Sequence, residues 1–423
     1  MIKQMLQSSF LRLSSVVFVG NLAAQFLIFL AYALFARFFE MIDIGIYTVF
    51  ISLSILLAVP STGRYELAIM LPKQKKEAQG LLKLALSLSL VFSLLVWVLL
   101  YSIPFEIYIS RLAKIEELIL WLPTGVFLMA SFQSFIIYHN SKGEFKLNAF
   151  MKTVQAALML GLSFVYTYFF AFSSYTLVIA WITSQAVVNI LYTILLFTES
   201  IKHSFEDLKQ LMLEYKRYPI VSLPSNFVNT FSVELPNYFI PAFWGAGVQT
   251  LYAYGARVAG MPRNFIGSAI GDVFFKRSSD LAVDEPQNLV KHLRKVSLLL
   301  IGFSSLIYIA GILLADILFP LVFGADYIDA VPYFRWLALA SIFLFVQSPI
   351  STISDVINRL DAPLIFNLVS VMIKTGVLLW AGYRLASPVH MIMLYSVSTA
   401  LLALFWIVYL QYLTKKEITN SDE

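Results

Sequence analysis

The polar side chains best suited to chemistry lie in one apolar segment near the middle of the chain, residues 219–243. Four of them recur at intervals of four, four and three residues, which places them in one stripe on a helix: Asn226, Thr230, Glu234 and Asn237. Pro236 frees a helix carbonyl close to Glu234. A carboxylate beside broken helix inside a membrane is typical of a proton or sodium site. The alternative is a protonated Glu234 satisfied by neighbouring asparagines.

The next apolar segment, residues 249–275, contains a second candidate, Arg257. A charge at the bilayer centre costs about 2.5–3.5 kcal/mol, so Arg257 should face a watery cavity or an acidic partner. On an ideal helix three polar residues share its face: Asn264, Ser268 and Asp272. Arg263 points about 120° away from that face. Three interpretations stay open: Arg257 binds a phosphate, pairs with Glu234 as a gate, or forms a static ion pair.

Two further cations lie within apolar segments. Arg64 is near the end of the second segment, where it either binds substrate or extends to the lipid headgroups. Glu66 is close in sequence but almost opposite on an ideal helix, so the sequence predicts no pairing with Arg64. Lys374 lies near the middle of the eleventh segment with no acid on its own turn. We regard it as a candidate for binding substrate.

The charges within the apolar segments sum to a slight cationic excess. The cations are Arg64, Arg257, Arg263, Arg335 and Lys374. The acids are Glu66, Glu234, Asp272 and Asp355. A cavity lined by such residues attracts an anionic substrate or headgroup.

Lipid must be the solvent for most of this chain. Hydrophobic residues make up 59% of its 423 positions and charged residues only 13%, against roughly 25% charged in a soluble domain. We therefore predict an all-α integral membrane protein with about twelve spans. Their approximate positions are 13–37, 45–71, 81–103, 117–138, 149–171, 175–198, 219–243, 249–275, 296–323, 331–356, 363–385 and 388–413.

The basic residues predict the orientation in the membrane. Of the 30 lysines and arginines, 21 fall at one set of span ends, four at the other and five within spans. Because lysine and arginine favour cytoplasmic loops, both termini are predicted to be cytoplasmic. Segment 201–218 has apolar residues at helical spacing and a charged opposite face, which is typical of an interfacial helix on the cytoplasmic leaflet.

The two halves of the chain resemble each other weakly. At an offset of 205 residues five identities occur: Asn21, Phe26, Leu30, Phe38 and Tyr47 align with Asn226, Phe231, Leu235, Phe243 and Tyr252. Each half has six predicted spans starting from the same side, so the repeat would be parallel. We predict an N-terminal lobe at 1–200, a linker helix at 201–218 and a C-terminal lobe at 219–423. Such repeats are frequent in transporters.

Enzyme signatures are missing from the sequence. It has no cysteine, no Walker A motif, and no HExxH or GxSxG motif. Its four histidines are scattered at loops or span ends and form no metal motif. We expect no catalytic residue, no cofactor and no metal, and no transport driven by ATP bound to this chain. The basic residues need no nucleic acid to explain them, since the positive-inside bias suffices.

Distributed patterns in both halves resemble the bacterial polysaccharide transporters, the O-antigen flippase group. They include GRYELAIMLPKQKKEA from position 63 and ILFPLVFGADYIDAVPYFRW from position 317. Matching single positions are Gly45, Tyr47, Arg64, Glu66, Tyr252, Pro262, Phe323 and Gly324. The family shares a superfamily with multidrug and toxin extrusion transporters and lipid II flippases. The chain lacks the two extra helices usual in lipid II flippases.

The resemblance implies a specific activity. The protein would move a polyprenyl-diphosphate-linked oligosaccharide from the cytoplasmic to the periplasmic leaflet of the bacterial inner membrane, for O-antigen and lipopolysaccharide or related polysaccharide synthesis. It would work by alternating access, as an antiporter using H⁺ or Na⁺. Arg64 and Arg257 match positions where the family tends to carry a basic residue suited to the diphosphate. Further expected partners are membrane lipids and a polysaccharide polymerase or glycosyltransferases.

Two other functions stay open from the sequence. The first is an ion-coupled exporter of drugs or metabolites, which would favour an acidic cavity. The second is a membrane assembly factor that recruits glycosyltransferases without transporting anything. The latter predicts that changes at Glu234 and Arg257 are harmless, whereas changes to the surface of segment 201–218 are not.

Overall fold

The computed structural model describes the backbone of residues 2–102, 116–197, 203–357, 359 and 361–421. Side chains are described within these ranges except at 2–19, 116–117, 197, 266–269, 272–273, 283, 361 and 419–421. Some sequence predictions fall outside the described residues or side chains. Five of the residues belong to the count of basic residues that predicts the orientation: Lys3, Arg12, Arg111, Lys114 and Lys202. The other two, Ser268 and Asp272, belong to the predicted face of Arg257.

Within the described part the regular elements are helices, and no strand occurs there. The first ten are α1 (Ile2–Phe38), α2 (Met41–Ser61), α3 (Tyr65–Ala68), α4 (Lys75–Ser102), α5 (Glu116–Ile119), α6 (Leu122–Ser141), α7 (Phe145–Phe170), α8 (Ser174–Phe197), α9 (Phe205–Glu214) and α10 (Leu223–Trp244). The others are α11 (Ala246–Pro262), α12 (Ser268–Asp284), α13 (Pro286–Phe323), α14 (Val331–Ile350), α15 (Ile353–Val356), α16 (Asp361–Arg384) and α17 (Pro388–Ser421). Two π-helical turns, Tyr218–Ser222 and Arg263–Gly267, and a 3₁₀ helix, Ala325–Ala330, join some of them.

The all-α membrane fold is confirmed. Nine helices in the described ranges are long and apolar enough to cross a bilayer. The other three predicted spans coincide with α6, with α10, and with α11 together with α12. These segments are helical but more polar, and α10 in particular contains Asn226, Glu234 and Asn237. The count of twelve is consistent with this arrangement.

The chain divides into two compact units, Met1–Thr230 and Phe231–Glu423. The division falls inside α10, so Asn226 and Thr230 belong to the first unit, while Glu234 and Asn237 belong to the second. The predicted lobe limits at 200 and 219 stay a prediction.

The connection between the predicted lobes packs on the core of the first unit. Ser204 and Asp207 form a capping box at the start of α9, in which each side chain accepts a hydrogen bond from the other residue's backbone N–H. The bond from the Ser204 N–H lowers the pKa of Asp207. Leu211 is buried in a cluster formed with α3, α4, α6 and α8. Phe205, by contrast, is 82% exposed.

The predicted apolar face of segment 201–218 is therefore divided. Leu208, Leu211 and Tyr215 pack on the unit itself, whereas Phe205 and Met212 are exposed. The π-helical turn Tyr218–Ser222 follows and leads into α10. The segment is thus a helix anchored to protein, with only part of its apolar surface available to the leaflet.

In the second unit α14 packs against α11, α12, α13 and α17. Gly255 on α11 allows the close approach of α14, since an added Cβ would lie 2.9 Å from the Phe334 backbone nitrogen. On the neighbouring α13, Tyr308 donates a hydrogen bond of 2.9 Å to the Ala259 carbonyl. These contacts fix α11, and with it the cations that follow, against the rest of the unit.

Candidate functional site

Glu234 is part of a hydrogen-bond network that joins α10 to α11. Asn237 donates from Nδ2 to Glu234 Oε2 at 2.7 Å. Gln249, at the start of α11, donates from Nε2 to Asn237 Oδ1 at 2.7 Å. The structure thus brings Glu234 and Asn237 together and adds Gln249, which sequence analysis missed because it lies on another helix.

The first two residues of the predicted stripe, Asn226 and Thr230, lie in the first unit and have different surroundings. Asn226 donates from Nδ2 to the Ser222 carbonyl at 2.8 Å, on its own helix. Thr230 has no hydrogen bond from its side chain to any of the residues that are described. Neither residue shares the Glu234 network, so their part in ion coupling stays a prediction.

Lys374 is buried inside the second unit, with 9% of its surface exposed. Its Nζ donates to Ser232 Oγ on α10 at 3.3 Å and lies 6.0 Å from the centre of the Tyr395 ring on α17. A cation placed near an aromatic face in this way gains some stabilisation. Three helices therefore meet at this ammonium group.

Arg263 begins the π turn that separates α11 from α12. Its side chain is half-buried. Sequence analysis placed it about 120° away from the face of Arg257 on an ideal helix and counted it among the cations within the apolar segments.

The π turn also corrects the predicted face of residues 257–272. A π turn closes its hydrogen bonds over five residues, which changes the register of everything after it. The predicted face assumed an unbroken α-helix, whereas the backbone contains this π turn at Arg263–Gly267. The side chains of Ser268 and Asp272 lie outside the described part. Asn264 is exposed. Arg257 itself is half-buried on α11, and its three interpretations stay open.

In the first unit the prediction for Arg64 and Glu66 was wrong. Arg64 Nη1 lies 3.0 Å from Glu66 Oε1. The reason is that α2 ends at Ser61, after which Gly63 and Arg64 both adopt left-handed backbone with φ of 60° and 61°. A turn of this kind cancels the helical-wheel geometry that placed the two side chains on opposite faces.

The Arg64 pair is tied into its surroundings. Thr62 donates through Oγ1 to Glu66 Oε2, and the Arg64 backbone N–H donates to Thr62 Oγ1 at 3.2 Å. Tyr65 donates to the Met212 carbonyl at 2.9 Å and so connects this turn to α9. The turn therefore has a clear structural role, and substrate binding by Arg64 stays a prediction.

Replacing Glu66 with alanine should destabilise the protein by about 2 kcal/mol, because Arg64 would lose its partner while keeping only 19% of its side chain exposed. Thermal unfolding of the purified protein measures this as a melting temperature lower by several degrees. Glu206→Ala removes an exposed pair with Lys209 and serves as the control, with no change expected. Equal melting temperatures for Glu66→Ala and the parent would contradict the structural role.

Among the described residues, no group of three or more histidine, cysteine, aspartate or glutamate side chains could hold a metal ion. Amide, hydroxyl and carboxylate groups dominate the cluster around Glu234. Such groups can accept and release a proton or coordinate a small cation.

Comparison with known proteins identifies the family. The family model described as "Polysaccharide biosynthesis protein" matches residues 34–332, which is most of the chain. The chain belongs to this family. The match covers Arg64, Glu234, Arg257 and Arg263 and stops before Lys374. No curated protein matches the chain.

Solved structures of transporters share the fold of this polysaccharide biosynthesis family member. The lipid II flippase MurJ in an inward closed conformation is 13% identical over 92% of this chain and 86% of its own, with a TM-score of 0.74. A MATE transporter in complex with MaD5 is 15% identical over 96% of both chains, with a TM-score of 0.64. A MOP superfamily transporter from Pyrococcus furiosus is 15% identical over 96% and 95%, with a TM-score of 0.62. At these identities the similarity establishes the fold alone.

Proposed function

We propose that this protein is a flippase that moves a polyprenyl-diphosphate-linked oligosaccharide from the cytoplasmic to the periplasmic leaflet of a bacterial inner membrane. The observation that carries the proposal is the family match over residues 34–332 on a flippase-type fold. The buried Lys374 and the half-buried Arg257 of the second unit suit the anionic headgroup of such a lipid. Transport, with no chemical conversion of the substrate, is the activity that this fold favours.

In the proposed cycle the glycan headgroup enters from the cytoplasm while its polyprenyl tail stays in the lipid. Arg257 and Lys374, together with Arg64, bind the charged head. A proton or sodium ion at Glu234, with Asn237 and the more distant Asn226 and Thr230, changes the relative stability of the two access states. Only a difference in affinity between these states can drive the change.

The asymmetric distribution of lysine and arginine supports the orientation in this proposal. Most of these residues flank one set of span ends, so both termini would be cytoplasmic. In each unit exposed aromatic and aliphatic side chains suit contact with lipid tails, on α4 in the first unit and on α13 and α16 in the second. A polymerase or glycosyltransferase would act on the product or supply the substrate.

Mass spectrometry of polyprenyl-linked glycans tests the proposal directly. Cells that lack the gene should accumulate one lipid-linked oligosaccharide, and a plasmid copy of the gene should restore the normal lipid pool. The accumulated species would also identify the sugar. An unchanged pool in the deletion strain would overturn the flippase assignment.

An ion-coupled exporter of the multidrug type is the second candidate, because several MATE structures share the fold over nearly the whole chain. This function predicts new sensitivity to cationic compounds in the deletion strain, with no change in the lipid pool. The buried Lys374, which donates to Ser232 two positions before Glu234, disfavours it, since a cationic substrate would be repelled.

A further inference from the structure

The helix α9 has a second apolar surface, which we call its outer face. Four exposed residues define the outer face: Phe205, Lys209, Met212 and Leu213. At 3.6 residues per turn they fall within an arc of about 100°. This arc lies about 110° around the helix axis from the residues of α9 that pack on the core of the first unit. The core therefore covers one apolar side of α9 and leaves the outer face uncovered.

The acidic residues of α9 lie away from the outer face. Asp207, Gln210 and Glu214 form a polar side whose centre is about 150° around the helix from the centre of the outer face. One further acid, Glu206, lies at the edge of the outer face and pairs with Lys209 at 3.5 Å. The helix thus separates its charges, with its lysine among apolar residues and most of its acids on the opposite side.

Basic and apolar residues continue beyond the end of α9. Lys216 and Arg217 are exposed directly after it. Ile220 and Val221 are exposed in the π turn that leads into α10. The preceding helix, α8, is long and apolar enough to cross a bilayer, and α10 coincides with a predicted span. Because α9 connects these two segments, we place it at the level of the lipid headgroups.

The composition of the outer face favours a lipid surface over a protein partner. Lysine interleaved with aromatic and aliphatic residues is typical of helices that lie in the interface of membranes with anionic lipids. The apolar side chains enter the boundary of the acyl chains while the lysine ammonium extends to the phosphates. Interfaces between proteins, by contrast, are depleted in lysine at their centre. Lys209 lies inside the arc, between Phe205 and Leu213.

We propose that the outer face of α9, with the two basic residues that follow it, binds anionic phospholipids of the leaflet that it borders. In the proposed orientation this is the cytoplasmic leaflet. Phe205 and Leu213 would insert among the acyl chains. The face differs from the one that sequence periodicity predicted, because Leu208 and Leu211 pack on the protein. The proposal goes beyond the proposed function and does not depend on what the protein transports.

The lack of cysteine in the chain makes the outer face directly measurable. A nitroxide spin label can be attached to Leu213→Cys, or to Glu214→Cys on the acidic side, in the full-length protein. Vesicles of phosphatidylcholine and phosphatidylglycerol in equal parts hold the labelled protein. Oxygen, which concentrates in lipid, should relax mainly the label at position 213. A water-soluble nickel complex should relax mainly the label at position 214.

Two results of this measurement would overturn the proposal. If the nickel complex reaches position 213 as readily as position 214, the outer face lies in water. If neither oxygen nor the nickel complex reaches position 213, protein covers the face.

A second measurement tests the preference for anionic headgroups. A fluorophore at Leu213→Cys is quenched in vesicles where only phosphatidylglycerol, or only phosphatidylcholine, carries bromine. Phosphatidylglycerol should quench more strongly, since each lysine near an anionic surface strengthens binding about fivefold. Replacement of both Lys209 and Lys216 with glutamine should bring the two lipids close to equal quenching.

The matched control removes the same charge elsewhere. Lys291→Gln with Lys295→Gln changes two exposed lysines of α13 in the second unit and should keep the preference. Equal quenching by the two lipids in the parent would overturn the proposal, as would an equal loss of preference in the control pair. Neither measurement needs transport, so both stand apart from the lipid analysis of the deletion strain.

Discussion

Cells in which Arg257 is replaced by alanine will accumulate the same lipid-linked oligosaccharide as cells that lack the gene, while the amount of protein in the membrane stays normal. The side chain is half-buried on α11, and a guanidinium there can form paired hydrogen bonds to phosphate oxygens. Loss of such bonds weakens binding by about 2–3 kcal/mol, or roughly 30- to 150-fold. That is enough to stop flipping at cellular substrate concentrations.

The measurement combines mass spectrometry of the lipid pool with immunoblotting of the membrane fraction. Arg335→Ala is the control, because Arg335 is an exposed cation paired with Asp316 and should leave the lipid pool unchanged. Arg257→Lys distinguishes charge from geometry, since lysine keeps the charge but lacks the planar fork. A normal lipid pool in Arg257→Ala cells would remove this residue from the mechanism.

Replacing Glu234 with glutamine will abolish the response of transport to an ion gradient. Glutamine has nearly the same size and can still accept the hydrogen bond from Asn237, but it cannot ionise. The variant should therefore fold normally and bind substrate while its transport no longer depends on proton or sodium gradients. Proteoliposomes that contain a fluorescent polyprenyl-diphosphate glycan measure this under imposed pH and Na⁺ gradients.

The comparison of gradients also identifies the ion. A parent protein that responds only to the pH gradient is proton-coupled, whereas one that responds only to Na⁺ uses sodium. Asp316→Asn is the control. Asp316 is an exposed acid that pairs with Arg335, so this variant should respond like the parent. Glu234→Gln with an unchanged gradient response would show that the coupling ion binds elsewhere.

These two variants also separate transport from a purely structural function. An assembly factor would tolerate changes at Arg257 and Glu234 but not changes on the exposed side of α9. Phe205 and Lys209 are exposed there, so Phe205→Ser and Lys209→Gln are informative. The flippase proposal expects little effect from either on the lipid pool.

The sequence predicted the all-α membrane fold, because this depends on composition along the chain. Apolar segments of about twenty residues identify spans whatever their neighbours are. Glu234 and Lys374 were found because a charged residue inside such a segment is visible without a structure. Asn237 followed from its three-residue spacing to Glu234, and the hydrogen bond between them agrees with that spacing.

The missed contacts share two physical causes. The first is departure from the ideal α-helix: the left-handed turn at Gly63 and Arg64 joins Arg64 to Glu66, and the π turn at Arg263 changes the register beyond it. The second is contact between distant helices. Gln249 and Ser232 become important only because they contact Asn237 and Lys374, and no spacing within one helix records that.

The packing of α9 has a practical consequence for producing the two halves of this protein as separate polypeptides. Leu211 fills the core of the first unit, and the Met212 carbonyl accepts a hydrogen bond from Tyr65. If the gene were divided before Ser204, α9 would be produced as part of the second fragment. The core of the first unit would then be exposed to detergent. Division after Tyr218 keeps the packed side chains of this segment, including Leu211, Tyr215 and Tyr218, with the first fragment, so co-expressed fragments should be cut there.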